Sequence, residues 1–152
     1  MTFDHVLVAR ILLTLMTAGW SLGTVLADFN KTHATNPQWT PHARFHVVWQ
    51  ICSYSGFGLL NLALIWWPGP LALERLYLAA LIGTIVYAAF FVALFAMPVY
   101  GGAAYDKNGY EPYPAPVPLF AKPWVPKQWD VNVTVFSVQL VILAASLVAL
   151  TR

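Results

Sequence analysis

Residues 76–97 read LYLAALIGTIVYAAFFVALFAM, a continuous apolar stretch in which no side chain is charged. A helix needs about 20 apolar residues to cross roughly 30 Å of hydrocarbon, so this stretch is long enough to span a bilayer. Three more stretches are long and apolar enough: residues 6–27, which contain only Arg10, residues 44–67, which have no charge after Arg44, and residues 131–150. The sequence therefore predicts four membrane-spanning helices.

The composition of the chain supports the same conclusion. Of its 152 residues 59% are hydrophobic and only 9% are charged, whereas a soluble domain carries about a quarter charged residues. The net charge of +2, without a basic run, argues against a nucleic-acid partner. The single cysteine, Cys52, rules out an internal disulfide. We therefore expect residues 1–152 to form one multi-pass membrane domain whose surroundings are membrane lipid.

The connections between the spans differ in length and composition. An even number of spans places both chain ends and the short connection at residues 66–75 on one side, and residues 28–43 and 98–130 on the other. The first connection carries histidines and the last is rich in proline and aromatic residues, which favours extended segments lying over the helix ends as a lid. The predicted fold is all-α, an integral membrane four-helix bundle with a His-bearing first loop and a Pro/aromatic-rich third loop. Lys and Arg are spread over both sides and leave the orientation in the membrane open.

Polar residues recur at helical spacing on three of the spans. Each of these three stripes becomes more polar toward the side with the two long connections. The pattern predicts a polar vestibule on that side, between the first, second and fourth helices. An alternative is that these side chains hydrogen-bond their own helix or a neighbouring one. Asn61 and Gln139 lie apart from the stripes and are predicted to link helices, while the third helix is predicted to be the most lipid-facing. The stripes consist of Thr14, Thr17, Ser21, Thr24 and Asp28; of His42, His46, Gln50 and Ser53; and of Asp130, Thr134 and Ser137.

The segment DFNKTHATNPQWTPHARFHVVWQ, residues 28–50, holds three of the four histidines. Thr40 is a suitable N-cap and proline is favoured at the first helical position, so the second helix is predicted to begin at Pro41. His42 then lies in the first turn and His46 one turn later on the same face.

Three interpretations of this segment stay open. The first is a metal site formed by His33, His42 and His46 with a carboxylate from Asp28 or Asp130, because imidazole suits Zn, Fe or Cu. Against it, the spacing from His33 to His42 matches no compact metal-binding signature.

The second interpretation is acid–base chemistry on a small lipophilic molecule such as a quinone, a sterol-like compound or an acyl compound. Histidine is the usual proton carrier near neutral pH, and ionisable groups at a membrane boundary are often functional. His42 and His46 would be catalytic and Asp28 would orient them. The residues expected to contact the ligand are Arg44, Trp49, Gln50 and Asp130.

The third interpretation is structural: the histidines bond backbone carbonyls, and Arg44 pairs with Asp28 or Asp130. A further hypothesis makes the chain an accessory subunit of a larger respiratory or photosynthetic membrane complex, or a homo-oligomer. The aromatic, Pro-rich third loop would then be a docking surface.

The run NPQWTPHARFHVVWQ, residues 36–50, resembles the first loop of an uncharacterised family of small four-span integral membrane proteins. In layout the chain is also similar to DoxX-like and sterol-isomerase-like (EXPERA) helical bundles, which hold lipophilic molecules between their helices. The resemblance implies a helical bundle with a pocket.

Overall fold

The computed structural model describes residues 4–105 and 130–152, which form four α-helices. They are α1 (His5–Asp28), α2 (Pro41–Trp66), α3 (Ala72–Tyr100) and α4 (Val131–Leu150). Each is long and apolar enough to cross a membrane. The predicted all-α fold and the four spans are confirmed, and the chain is a multi-pass membrane protein. The predicted Pro-rich lid falls mainly on residues 106–129, outside the described residues.

Side-chain caps set the starts of three helices. Thr40 Oγ1 accepts a hydrogen bond from the Ala43 N–H at 3.2 Å, and Pro41 is the first residue of α2, as the sequence predicts. Asp130 caps α4 by accepting from the Val133 N–H at 2.8 Å. A capping side chain satisfies one of the donors that a helix start leaves without an intrahelical partner.

Helices α1 and α3 each pack against all three other helices, whereas α2 and α4 do not contact each other over the described residues. The predicted vestibule needs the polar edges of α1, α2 and α4 to meet. In the described part of the chain α2 and α4 do not touch, so no direct contact between these two helices closes such a vestibule.

Three glycines lie where α1 meets its neighbours. At each of them a Cβ atom would lie within 2.5 Å of a side chain on the facing helix. At Gly58 that neighbour includes Ser21 Cβ, which cannot rotate away, whereas Gly83 and Gly19 face the flexible ends of longer side chains. Helices in lipid associate through such small-residue contacts, because burying apolar surface gives them little. The pairs are Gly58 with Ser21, Gly83 with Met16, and Gly19 with Gln139.

Buried hydrogen bonds link the helices at the level of these glycines. The fully buried Asn61 of α2 donates to Thr17 Oγ1 on α1 at 2.8 Å and to the Ala79 carbonyl on α3 at 3.3 Å. Tyr87 of α3 is also fully buried and donates to the Met16 carbonyl at 2.8 Å. The prediction that Asn61 links helices is confirmed.

The expectation that α3 is the most lipid-facing helix is wrong. A larger share of α3 is buried than of α2 or α4. The small residues Ala79, Ala80 and Gly83 bring this side of α3 against its neighbours. Scarcity of polar residues did not indicate lipid exposure, since packing in lipid depends on small residues as much as on polar ones.

The hydroxyl stripe of α1 serves its own helix. Thr14, Thr17, Ser21 and Thr24 each donate to the carbonyl four residues earlier, at 2.7–2.8 Å. Thr17 and Thr24 are buried. These bonds support the structural interpretation of this stripe.

Candidate functional site

The first loop, residues 29–40, is a compact cap on the end of α1. Asn30 Nδ2 donates to the Ala27 carbonyl at 2.8 Å, and its Oδ1 accepts from Thr32. Asn36 is buried, donates to the Thr32 carbonyl at 2.9 Å and accepts from the Gln38 N–H at 3.0 Å. Hydrogen bonds from these two asparagine side chains thus hold the loop against the end of α1.

This loop places His33 beside Asp28. His33 Nδ1 lies 3.7 Å from Asp28 Oδ1 and 2.7 Å from Thr32 Oγ1. The His33 ring meets the Trp39 ring edge to face, with centroids 5.1 Å apart. The contact partner of Asp28 is therefore His33, in a cluster that closes the loop against α1.

His42 and His46 form a separate pair on α2. Their Nε2 atoms are 3.0 Å apart and their ring planes are nearly perpendicular, at 89°. Both side chains are exposed over the described residues, while Val47 and Ile51 on the opposite face of α2 are buried. The predicted shared face of the two histidines is confirmed, and it points outward from the bundle rather than between its helices.

An open groove of about 330 Å³ lies next to the pair, lined by Phe45, Val48 and Trp49. The His46 ring lies 5.8 Å from the Phe45 ring and 5.9 Å from the Trp49 ring. Phe45 is 62% exposed and Trp49 is 59% exposed. These residues lie within the first three turns of α2, at one boundary of the membrane span, where aromatic rings with a polar edge are enriched.

Arg44 lies one turn before Val48, on the side of the groove away from the two histidines. It is partly exposed. Within residues 4–105 and 130–152 its guanidinium has neither a hydrogen-bond partner nor a carboxylate at ion-pair distance. Arg10 and Arg75, by contrast, donate to backbone carbonyls. The ion pair expected between Arg44 and Asp28 or Asp130 is not formed among these residues.

Gln50 and Asp130 differ in exposure. Gln50 is exposed on α2, one turn before Tyr54. Asp130 is buried at the start of α4. Burial raises the pKa of the Asp130 carboxyl above its ordinary value, although hydrogen bonds from the Val133 and Asn132 N–H groups act in the opposite direction. In the described structure Asp130 is thus a helix cap.

The three histidines of the predicted metal site are not gathered into one ligand set. His33 lies with Asp28, whereas His42 and His46 lie with each other. Over the part of the chain that the structure describes, no three His, Cys, Asp or Glu side chains are close enough to hold a metal ion together. The structure instead brings together two imidazole nitrogens, Nε2 of His42 and Nε2 of His46.

The groove residues Phe45 and Val48 were missed by sequence reasoning. Trp49 lies four residues after Phe45 and three after His46. On a helix the Trp49 ring is therefore a neighbour of both of the other rings. That spacing was the available signal. It was overlooked because an apolar residue in a membrane span is ordinarily read as lipid-facing.

Comparison with known proteins gives a family. The model of a family of unknown function (DUF6640) matches residues 12–126, which include most of α1, the first loop, α2 and α3. The matched residues make up 115 of the 152 in the chain. No curated protein and no solved structure shows significant similarity to the chain.

Proposed function

The chain belongs to DUF6640, a family of unknown function, and we propose that it binds an anionic amphiphile on the outer face of α2, at the membrane–water interface. The observation that carries the proposal is the groove lined by Phe45, Val48 and Trp49, bordered by an arginine without a described partner and by an imidazole pair. Such a molecule has a carboxylate or phosphate head and an acyl tail.

The head group is assigned to Arg44. A guanidinium presents a fork of N–H donors that matches a carboxylate or a phosphate, and such charge-assisted bonds are stronger than neutral ones. Arg44 is close to the water boundary, where its long side chain can reach a head group while its stem stays on apolar surface.

The tail is assigned to the groove itself. Phe45 and Trp49 present rigid aromatic surface that an acyl chain can cover, and Val48 adds apolar surface between Arg44 and these rings. An acyl chain in a bilayer is already out of water, so the tail gains packing contacts with the two rings, and its insertion in the membrane keeps the head group near the groove. The rest of the chain would extend into the bilayer.

A more specific form of this proposal adds acid–base chemistry on the bound molecule, carried out by His42 and His46. Their Nε2 atoms lie 3.0 Å apart, a distance at which a proton passes from one ring to the other, and the reacting group would have to bind on their own side of the groove rather than at Arg44. Asp28, expected from the sequence to orient the pair, instead has its Oδ1 atom 3.7 Å from His33 Nδ1. The layout similarity to bundles that hold lipophilic molecules agrees with binding, but their pockets lie between helices whereas this groove lies outside them.

Photolabelling tests the binding proposal. Wild-type protein in phosphatidylcholine nanodiscs is irradiated with a diazirine-bearing palmitic acid, and the labelled peptides are identified by mass spectrometry. We expect label on residues 45–49. Arg44→Gln should lower the labelling about tenfold, since one charge-assisted hydrogen bond is worth roughly 1.5 kcal/mol.

Lys31→Gln is the matched control, because Lys31 is an exposed cation on the first loop at the same boundary. It should label like the wild type. A diazirine-bearing phosphatidic acid, used in a parallel experiment, distinguishes a phosphate head from a carboxylate. Equal losses in the two variants, or label spread evenly over all four helices, would refute the site. A stoichiometric protein partner in the same preparations would instead favour the accessory-subunit hypothesis.

A further inference from the structure

We infer that His42 and His46 form a bidentate site for a divalent transition-metal ion on the surface of α2. The inference uses the same helix face as the proposed function but does not depend on amphiphile binding. It replaces the three-histidine site expected from the sequence with a two-nitrogen site that has open coordination positions.

The distance between the two rings carries the inference. A metal–nitrogen bond to histidine is about 2.0–2.1 Å long, so two neighbouring ligands of a square-planar or tetrahedral ion lie about 2.8–3.4 Å apart. The Nε2 atoms of His42 and His46 are 3.0 Å apart. One ion lying to the side of the line between the two nitrogens can therefore bond to both of them at the ordinary length.

The surroundings of the pair decide which ions fit. Both ligands are imidazole nitrogens, which suit Cu²⁺, Ni²⁺ and Zn²⁺ and disfavour the oxygen-seeking Ca²⁺ and Mg²⁺. Both rings are exposed, so water or an anionic head group can fill the remaining positions. Because no third His, Cys, Asp or Glu joins them among the described residues, we expect a site weaker than a closed structural zinc centre.

Cu²⁺ titration followed by electron paramagnetic resonance tests the site. The full-length protein is purified in dodecyl maltoside on a histidine-free affinity tag and titrated with Cu²⁺ alone. We expect one Cu²⁺ per chain with nitrogen splitting from two equatorial imidazoles. His42→Gln and His46→Gln should each lose the two-nitrogen pattern, whereas His33→Gln should keep it because His33 lies with Asp28.

A second measurement needs no variant. Diethyl pyrocarbonate modifies accessible histidines of the wild-type chain, and Zn²⁺ should protect His42 and His46 while leaving the modification of His33 unchanged. The inference would be overturned if the wild type gave no two-nitrogen signal, or if that signal survived when both His42 and His46 are replaced by Gln. Equal protection of all three histidines by Zn²⁺ would also overturn it.

Arg44→Gln separates this inference from the proposed function. That variant should lose palmitate labelling and keep the Cu²⁺ signal, because Arg44 cannot donate a lone pair to a metal. A wild-type chain that binds Cu²⁺ but is not labelled would refute the amphiphile site alone. A labelled chain without the Cu²⁺ signal would refute the metal site alone.

Discussion

Gly58→Ala is expected to destabilise the bundle by about 1–3 kcal/mol, the usual cost of forcing an extra group into a well-packed interior. A Cβ at position 58 would lie 2.5 Å from Ser21 Cβ, an atom that no side-chain rotation can move away. The two helices must therefore separate, and the bond from Asn61 to Thr17 one turn deeper would stretch with them. Thermal unfolding in dodecyl maltoside should show a melting temperature lower by several degrees.

Gly56→Ala is the matched control on the same helix. No heavy atom lies within 4 Å of a Cβ at position 56, and alanine favours a helix over glycine by about 1 kcal/mol. The melting temperature should stay the same or rise. Combining Gly58→Ala with Ser21→Gly should recover part of the loss. If Gly56→Ala lowered the melting temperature as much as Gly58→Ala does, α1 and α2 would not be in close contact at Gly58.

Asn61→Ala is expected to cost about 2 kcal/mol. Interhelical hydrogen bonds in membranes contribute about 0.6–1.7 kcal/mol, and truncation of a fully buried side chain adds the cost of a cavity. Asn61 bonds α1 and α3 at once, so its loss loosens three helices. The measurement is the free energy of unfolding in mixed detergent micelles.

Two comparisons make the Asn61 result specific. Asn132→Ala removes the same side chain from an exposed position in the first turn of α4, and the stability should change little. Thr17→Ala combined with Asn61→Ala should cost less than the sum of the single variants, because the two residues share a hydrogen bond. Strict additivity would mean that this bond does not contribute to stability.

The membrane spans could be predicted from the sequence because length and apolarity are sufficient to identify a spanning helix. The start of α2 at Pro41 was also predictable, since Thr40 and Pro41 satisfy the capping requirement locally. The neighbours of α1 were not predictable. They depend on which small residues meet, as Gly58 does Ser21, and a glycine in an apolar run does not identify its partner.

The candidate site was predicted in composition but not in orientation. Helical spacing shows that His42 and His46 share a face, whichever way that face points. In a soluble protein a polar face points to water, but in lipid both the bundle interior and the outer surface are apolar. Near a membrane boundary, polar residues can point to the head groups as well as to a vestibule. The packing of Val47 and Ile51 against the first loop decides the direction here.

Photo-crosslinking from α2 tests most directly whether the histidine-bearing face points outward. Benzoylphenylalanine is placed at Trp49 on this face, or at Tyr54, whose ring contacts Trp20 of α1 at 5.7 Å, and the protein is irradiated in phosphatidylcholine nanodiscs. Position 49 should yield lipid adducts and position 54 a cross-link to α1. A cross-link from position 49 to α1, α3 or α4 would contradict the account, since it would place His42, His46 and the groove inside the bundle.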